Sequence, residues 1–119
     1  TYIDDIVEGI SRVIKIPAKS NLDWDSSNPE PSTSKAPYKI YNIGNNNPVQ
    51  LLNFIEEIES KLGLTADKNF LPIQMGDVVA TNADVSTLVN DFNYNPSTST
   101  KEGVSKFIDW YLNYFNKSK

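Results

Sequence analysis

Cysteine and histidine are both absent from this chain of 119 residues. Without cysteine the chain has no disulfide, no thiolate nucleophile and no cysteine zinc site. Without histidine it lacks the commonest general base and the commonest metal ligand in proteins. Ser-His-Asp, Cys-His and zinc hydrolases are therefore excluded for this chain by itself, and we expect it to hold no metal. Carboxylate chemistry, tyrosine and lysine chemistry, or binding alone remain.

Long apolar runs and clustered basic residues are also missing. No stretch approaches the roughly 18 apolar residues of a membrane-spanning helix, and nothing resembles a signal peptide. The formal net charge of −4 arises from scattered carboxylates, without a basic stripe. We therefore expect no membrane and no nucleic-acid partner, and a cytoplasmic location. The length is that of one domain, and 39% hydrophobic residues support a modest core.

Extended and helical patterns follow one another and predict an α/β fold. Residues 38–43 and 69–73 are typical of short strands, and the amphipathic pattern between them stops at Gly63, a common C-terminal helix cap. Strand, helix and strand in this order predict a short parallel β-α-β unit with additional helices packed on it. Ser99 followed by Glu102 predicts a capped N-terminus for the last helix.

The stretch from Leu71 to Asp84 carries the clearest candidate for a binding site. Gly76 permits a sharp turn, and Asp77 directly after it presents a carboxylate that can accept two hydroxyl hydrogen bonds from a ribose diol. The alternative is a turn aspartate that bonds its own backbone. Gln74 cannot neutralise a phosphate, so it either hydrogen-bonds a base or ribose or only packs.

Four ordered segments together resemble the extended short-chain dehydrogenase family of NAD-dependent nucleotide-sugar epimerases. They are YIDDIVEGI at residues 2–10, NIGN at 42–45, QMGDVVATNAD at 74–84, and NPST at 95–98 with the amphipathic helix beyond it. Within this family, NLDW at 21–24 and TSKAPY at 33–38 are similar to the UDP-glucuronate 4-epimerases of the capsular polysaccharide biosynthesis type. The resemblance covers nearly the whole chain.

The resemblance implies a parent enzyme that binds NAD in an N-terminal Rossmann domain, where a Tyr-x-x-x-Lys pair oxidises C4 of the sugar. Neither that pair nor the Gly-rich turn lies in this chain, so we expect no catalytic and no cofactor-binding residue here, and a fragment that is inactive alone. For the UDP-sugar substrate the resemblance favours ribose binding by Asp77, beside Gln74 and Gly76. The parent is expected to be a homodimer, and Trp110 and Tyr114 to meet the missing domain or a second copy.

On this interpretation the chain is the C-terminal piece of a larger enzyme. Residues 1–16 are the helix that follows the truncated nucleotide-binding domain. Residues 17–37, with four prolines and five serines, form a surface loop, and residues 38–119 form the substrate-binding subdomain. Two alternatives stay open: another nucleotide-sugar dehydratase, decarboxylase or epimerase of the same family, and a non-enzymatic α/β interaction module.

Overall fold

The computed structural model describes residues 1–115 and contains four α-helices in that range. In chain order they are α1 (Ile3–Val13), α2 (Leu51–Leu62), α3 (Ser86–Phe92) and α4 (Thr100–Tyr114). No strand forms within the described residues, where β pairing is limited to an isolated antiparallel bridge between Thr33 and Lys39. Over the same range, every helix is too short or too polar to cross a bilayer.

The predicted α/β fold with a parallel β-α-β unit is wrong, because the described residues form helices joined by irregular segments. Residues 38–43 and 69–73 lack the continuous ladder of backbone hydrogen bonds that defines a sheet. The Ile40 amide donates to the Ser32 carbonyl at 2.8 Å, and the pairing extends no further than the neighbouring bridge. Pro72 has no N–H to donate. An alternating pattern predicts extended backbone, but a strand also requires a neighbour with free N–H and C=O groups.

The chain separates into two compact units. The first, which we call the helix-pair unit, contains α2 and α4 and consists of Thr1–Tyr2, Asn47–Asn82 and the described residues from Ser97 onward. The second, which we call the loop unit, contains α1 and α3 and consists of Ile3–Asn46 and Ala83–Pro96. Each unit therefore joins residues that are far apart along the sequence.

Helices α2 and α4 pack against each other in the helix-pair unit. Val104 and Ile108 of α4 are buried, whereas α2 has no fully buried residue. The ammonium of Lys61 on α2 lies 2.7 Å from the carboxylate of Asp109 on α4. An exposed ion pair of this kind contributes at most about 1 kcal/mol, so the apolar contacts of α4 provide most of the association.

Local caps fix the start of α4 and the end of α2 as the sequence predicts. Ser99 Oγ accepts a hydrogen bond from the backbone N–H of Glu102 at 3.2 Å and begins α4. At the end of α2, Gly63 has a left-handed backbone with φ of +68°, and its N–H donates to the Glu59 carbonyl at 2.8 Å. Because glycine adopts this conformation without steric cost, α2 stops there.

The loop unit is built around Leu88 and Tyr94, which are each 1% exposed. The Tyr94 ring lies against α1 at Gly9, where a Cβ atom would come within 3.1 Å of the ring and 2.6 Å of Ile43 Cδ1. The Tyr94 hydroxyl donates to the Gly44 carbonyl at 3.3 Å. The absence of a side chain at Gly9 thus permits a close approach between α1 and the buried tyrosine.

Arg12 connects α1 to the C-terminal end of α3. Its guanidinium donates to the Phe92 carbonyl at 3.1 Å and also to the Asn93 carbonyl. The same guanidinium forms an ion pair with Glu8, one turn earlier on α1. A cation at the last carbonyls of a helix satisfies acceptors that have no intrahelical partner and complements the helix dipole.

Helix α1 buries its small and polar side and exposes its apolar side. Asp5 and Gly9 are the buried residues of this helix. The residues that we call the α1 apolar stripe are each more than half exposed: Ile3, Val7 and Ile10 of the helix, and Ile14 directly after its last residue. Their spacing of four, three and four residues places them on one face. A face of this kind is typical of a surface that packs against other protein.

The Pro/Ser-rich segment at residues 17–37 is ordered by its own hydrogen bonds. The backbone N–H of Asn21 donates to the Ser34 carbonyl at 2.8 Å, so the two ends of the segment meet. Inside it, the Trp24 indole N–H donates to the Glu30 carbonyl at 3.0 Å. The segment is therefore a closed loop with a defined base.

We expect Gly9→Ala to lower the free energy of unfolding by about 1 kcal/mol relative to Gly103→Ala, measured by urea denaturation. Both substitutions gain the helix propensity of alanine. A Cβ at Gly9 would lie 2.6 Å from Ile43 Cδ1, whereas the nearest atom to one at Gly103 is 3.3 Å away. Adding Ile43→Val removes that methyl group and should restore part of the loss. Equal stability of the two alanine variants would contradict the close contact.

Candidate functional site

The residues predicted to bind substrate are brought together in one tight turn of the helix-pair unit. The backbone N–H of Asp77 donates to the Gln74 carbonyl at 3.2 Å and closes a four-residue turn. Gly76, the third residue of the turn, has φ of +97°, which is typical of a type II turn and favours glycine. Among residues 1–115, a Cβ atom at Gly76 would have no atom within 4 Å except those of Gly76 and its two chain neighbours. The backbone at this corner is therefore open to close approach.

The side chains of Gln74 and Asp77 are both exposed. The predicted alternative for Asp77 was a carboxylate bonded to its own backbone, but among residues 1–115 this carboxylate accepts no hydrogen bond. Its oxygens are thus available for an external donor. Across the same residues, no three carboxylates are grouped so that they could hold a metal ion.

Apolar side chains flank this turn on both sides and are exposed. Val79, the most exposed of the valines beyond the turn, has 93% of its surface accessible. The residues that we call the exposed apolar segment are Phe70, Leu71, Ile73, Met75, Val78 and Val79. Such a run on a folded protein marks a surface that other protein or ligand covers. The Asp77 carboxylate therefore lies within a hydrophobic stretch of surface.

A second exposed surface of the helix-pair unit is aromatic. Trp110 and Tyr114 of α4 are stacked, with ring centroids 5.3 Å apart and planes inclined by 24°. The Phe107 ring lies 5.7 Å from the Trp110 ring, and all three side chains are at least half exposed. That Trp110 and Tyr114 contact another domain or a second copy of the chain stays a prediction.

A polar cluster in the loop unit was not predicted from the sequence. The Asp91 carboxylate accepts hydrogen bonds from the Lys39 ammonium at 2.5 Å and from the Tyr41 hydroxyl at 2.8 Å. The ammonium also lies 5.2 Å from the centre of the Tyr41 ring. Asp91 is 52 residues from Lys39 along the chain. The sequence indicates one part of this cluster. Lys39 and Tyr41 are two residues apart, so in an extended segment their side chains lie on the same side.

The charges of this cluster stabilise one another. The hydrogen bond to Asp91 raises the pKa of Lys39, and the same bond is the main cause that lowers the pKa of Asp91. Burial is the main cause that raises the pKa of Tyr41. The cluster therefore holds an ammonium, a carboxylate and a neutral phenol at neutral pH.

Comparison with known proteins finds relatives over nearly the full length of this chain. It is 53% identical over 117 residues to Protein CapI of Staphylococcus aureus. It is 38% identical over 112 residues to the probable UDP-glucuronate 4-epimerase of Rhizobium meliloti and 36% identical over 116 residues to UDP-glucuronate 4-epimerase 1 of Arabidopsis thaliana. No family model matches the chain.

These alignments cover 98%, 93% and 97% of this chain but only 35%, 33% and 26% of the respective relatives. The chain therefore spans between about a quarter and about a third of the length of these curated relatives. Identities of this size over more than a hundred residues confirm the resemblance that the motifs indicate. The chain is homologous to a part of Protein CapI and of the UDP-glucuronate 4-epimerases.

Proposed function

We propose that this chain is part of an NAD-dependent epimerase that interconverts UDP-glucuronate and UDP-galacturonate, and that it contributes to the UDP-sugar site. The observation that carries the proposal is the glycine turn at Gly76, which presents an Asp77 carboxylate without a hydrogen-bond partner among residues 1–115. The similarity to the UDP-glucuronate 4-epimerases of Rhizobium meliloti (probable) and Arabidopsis thaliana supports the choice of substrate.

In this proposal the Asp77 carboxylate accepts hydrogen bonds from both hydroxyls of the UDP ribose. Two charge-assisted bonds to a diol are selective in geometry as well as favourable in energy. Gly76 lets the backbone lie close to the nucleotide, because there is no Cβ at the corner. Gln74 offers an amide that both donates and accepts, which suits the uracil edge or a ribose hydroxyl.

The residues of this chain do not fit a dinucleotide cofactor. The five glycines are scattered singly along the sequence and form no Gly-rich turn, and no tyrosine is followed four residues later by lysine. We therefore propose that no hydride step runs through the residues of this chain and that it is inactive alone. The NAD of the parent enzyme, and the groups that oxidise C4, would be supplied by polypeptide outside these 119 residues.

The exposed apolar segment and the α1 apolar stripe would pack against that other polypeptide in the parent. The relatives are about three times as long as this chain, so they contain the additional protein that such a contact requires. Burying one valine or methionine side chain contributes about 1.5–3 kcal/mol, so several together would hold two parts of an enzyme firmly. We further propose that the parent is a cytoplasmic homodimer.

In the full-length parent, we expect Asp77→Ala to weaken UDP-glucuronate binding about tenfold to a hundredfold and to leave NAD binding unchanged. The loss of a hydrogen bond to a charged group costs about 1.5–3 kcal/mol. Isothermal titration calorimetry with each ligand measures both effects. Asp67→Ala is the matched control, since Asp67 is an exposed carboxylate in the same unit and outside the turn. Similar losses for the two variants, or for the two ligands, would remove Asp77 from the substrate site.

For the 119-residue chain alone, we expect self-association at high protein concentration, driven by the exposed apolar segment. Replacing Met75 and Val79 together by glutamate should raise the dissociation constant at least about tenfold, because both side chains are almost fully exposed and would otherwise be buried in the contact. Sedimentation equilibrium measures the constant. The control for charge is the double substitution Thr81→Glu and Asn82→Glu, since both residues are polar, exposed and in the same unit. A strictly monomeric wild-type chain would show that this surface does not drive contact.

A further inference from the structure

The base of the long loop borders an open recess on the surface of the loop unit. Its volume is about 370 Å³, which is within the usual range for small-molecule sites. Ile16, Pro17 and Phe92 provide apolar lining, and the Lys39–Tyr41–Asp91 cluster provides a polar wall. All of the lining residues belong to the loop unit, whereas the turn with Asp77 belongs to the helix-pair unit.

The wall formed by the loop itself is held in place. Asn21 lines the recess, and its backbone amide donates to the Ser34 carbonyl at 2.8 Å. Its side-chain amide donates to Thr33 Oγ1 at 3.2 Å, which leaves the threonine hydroxyl proton free to donate to a ligand. The isolated bridge between Thr33 and Lys39 joins this wall to the polar cluster. The recess is thus lined by hydroxyl and amide groups at fixed positions.

The charge of the lining is unbalanced in favour of an anion. Lys39 is neutralised by Asp91, which also accepts from Tyr41. Lys19 also lines the recess and forms no ion pair with any residue in the range 1–115. One positive charge is therefore left over, which matches a monoanion better than a doubly charged phosphate.

We propose that this recess binds a small hydroxylated monocarboxylate, a molecule of the sugar-acid class. Lys19 pairs with the carboxylate, the Thr33 hydroxyl and the Asn21 side chain meet ligand hydroxyls, and the Phe92 ring packs against the C–H face of the ligand. Carbohydrate rings combine polar edges with apolar faces, and the recess offers both kinds of surface.

The test is a titration of the isotopically labelled chain with D-glucuronate at physiological salt, followed by amide NMR shifts. We expect saturable shifts at the amides of Asn21, Thr33 and Lys39, and none with D-glucose, which lacks the carboxylate. Lys19→Gln should weaken binding about fivefold, as expected for one exposed ion pair. Lys35→Gln removes the same charge from the same loop outside the recess and should leave binding unchanged.

Three results would overturn the proposal. These are an absence of saturable shifts with glucuronate, equal shifts with glucose or inorganic phosphate, and equal weakening by Lys19→Gln and Lys35→Gln. Because Lys19 is exposed, its replacement does not disturb the core, and unchanged shifts elsewhere in the spectrum of the variant verify this. Asp77→Ala should not alter glucuronate binding, so this proposal and the proposed UDP-sugar site succeed or fail separately.

Discussion

The close contact between helix α1 and Tyr94 is the constraint on which the loop unit depends. Gly9 gives the ring room, and the Tyr94 hydroxyl then reaches the Gly44 carbonyl, so one buried side chain joins the helix to a distant turn. This arrangement turns the small and polar side of α1 inward. The apolar stripe of the same helix is consequently left on the outside, so the exposed hydrophobic surface follows directly from the internal packing.

The turn at Gly76 differs from the loop unit in that adjacent residues alone determine its shape. One backbone hydrogen bond and one left-handed glycine fix it, and no side chain of the turn is used to hold it. The Asp77 carboxylate is therefore not occupied with maintaining structure. The neighbouring apolar residues are exposed, and a partner that covered them would displace water from the carboxylate as well. A carboxylate without surrounding water binds hydroxyl donors more strongly than one in open solvent.

Features fixed by neighbouring residues could be predicted from the sequence, and features fixed by distant residues could not. The cap at Ser99, the stop at Gly63 and the Gly76 turn each depend on a few adjacent residues. The predicted strands failed because a strand exists only with its partner, and alternation carries no information about that partner. The pairing of Lys39 with Asp91 joins two residues that are 52 positions apart in the sequence. Likewise, a sequence pattern does not indicate that the buried side of α1 is the side with Asp5 and Gly9, because distant residues such as Tyr94 decide that packing.

Helix α2 has no fully buried residue, although it is longer than α1 and well capped at its end. Backbone amides are protected from hydrogen exchange mainly by packing that must be undone before they open, and a helix held only through half-buried contacts opens at low cost. Exchange in the helix-pair unit should therefore be graded, with slow amides in the middle of α4 around Val104 and Ile108 and faster ones throughout α2.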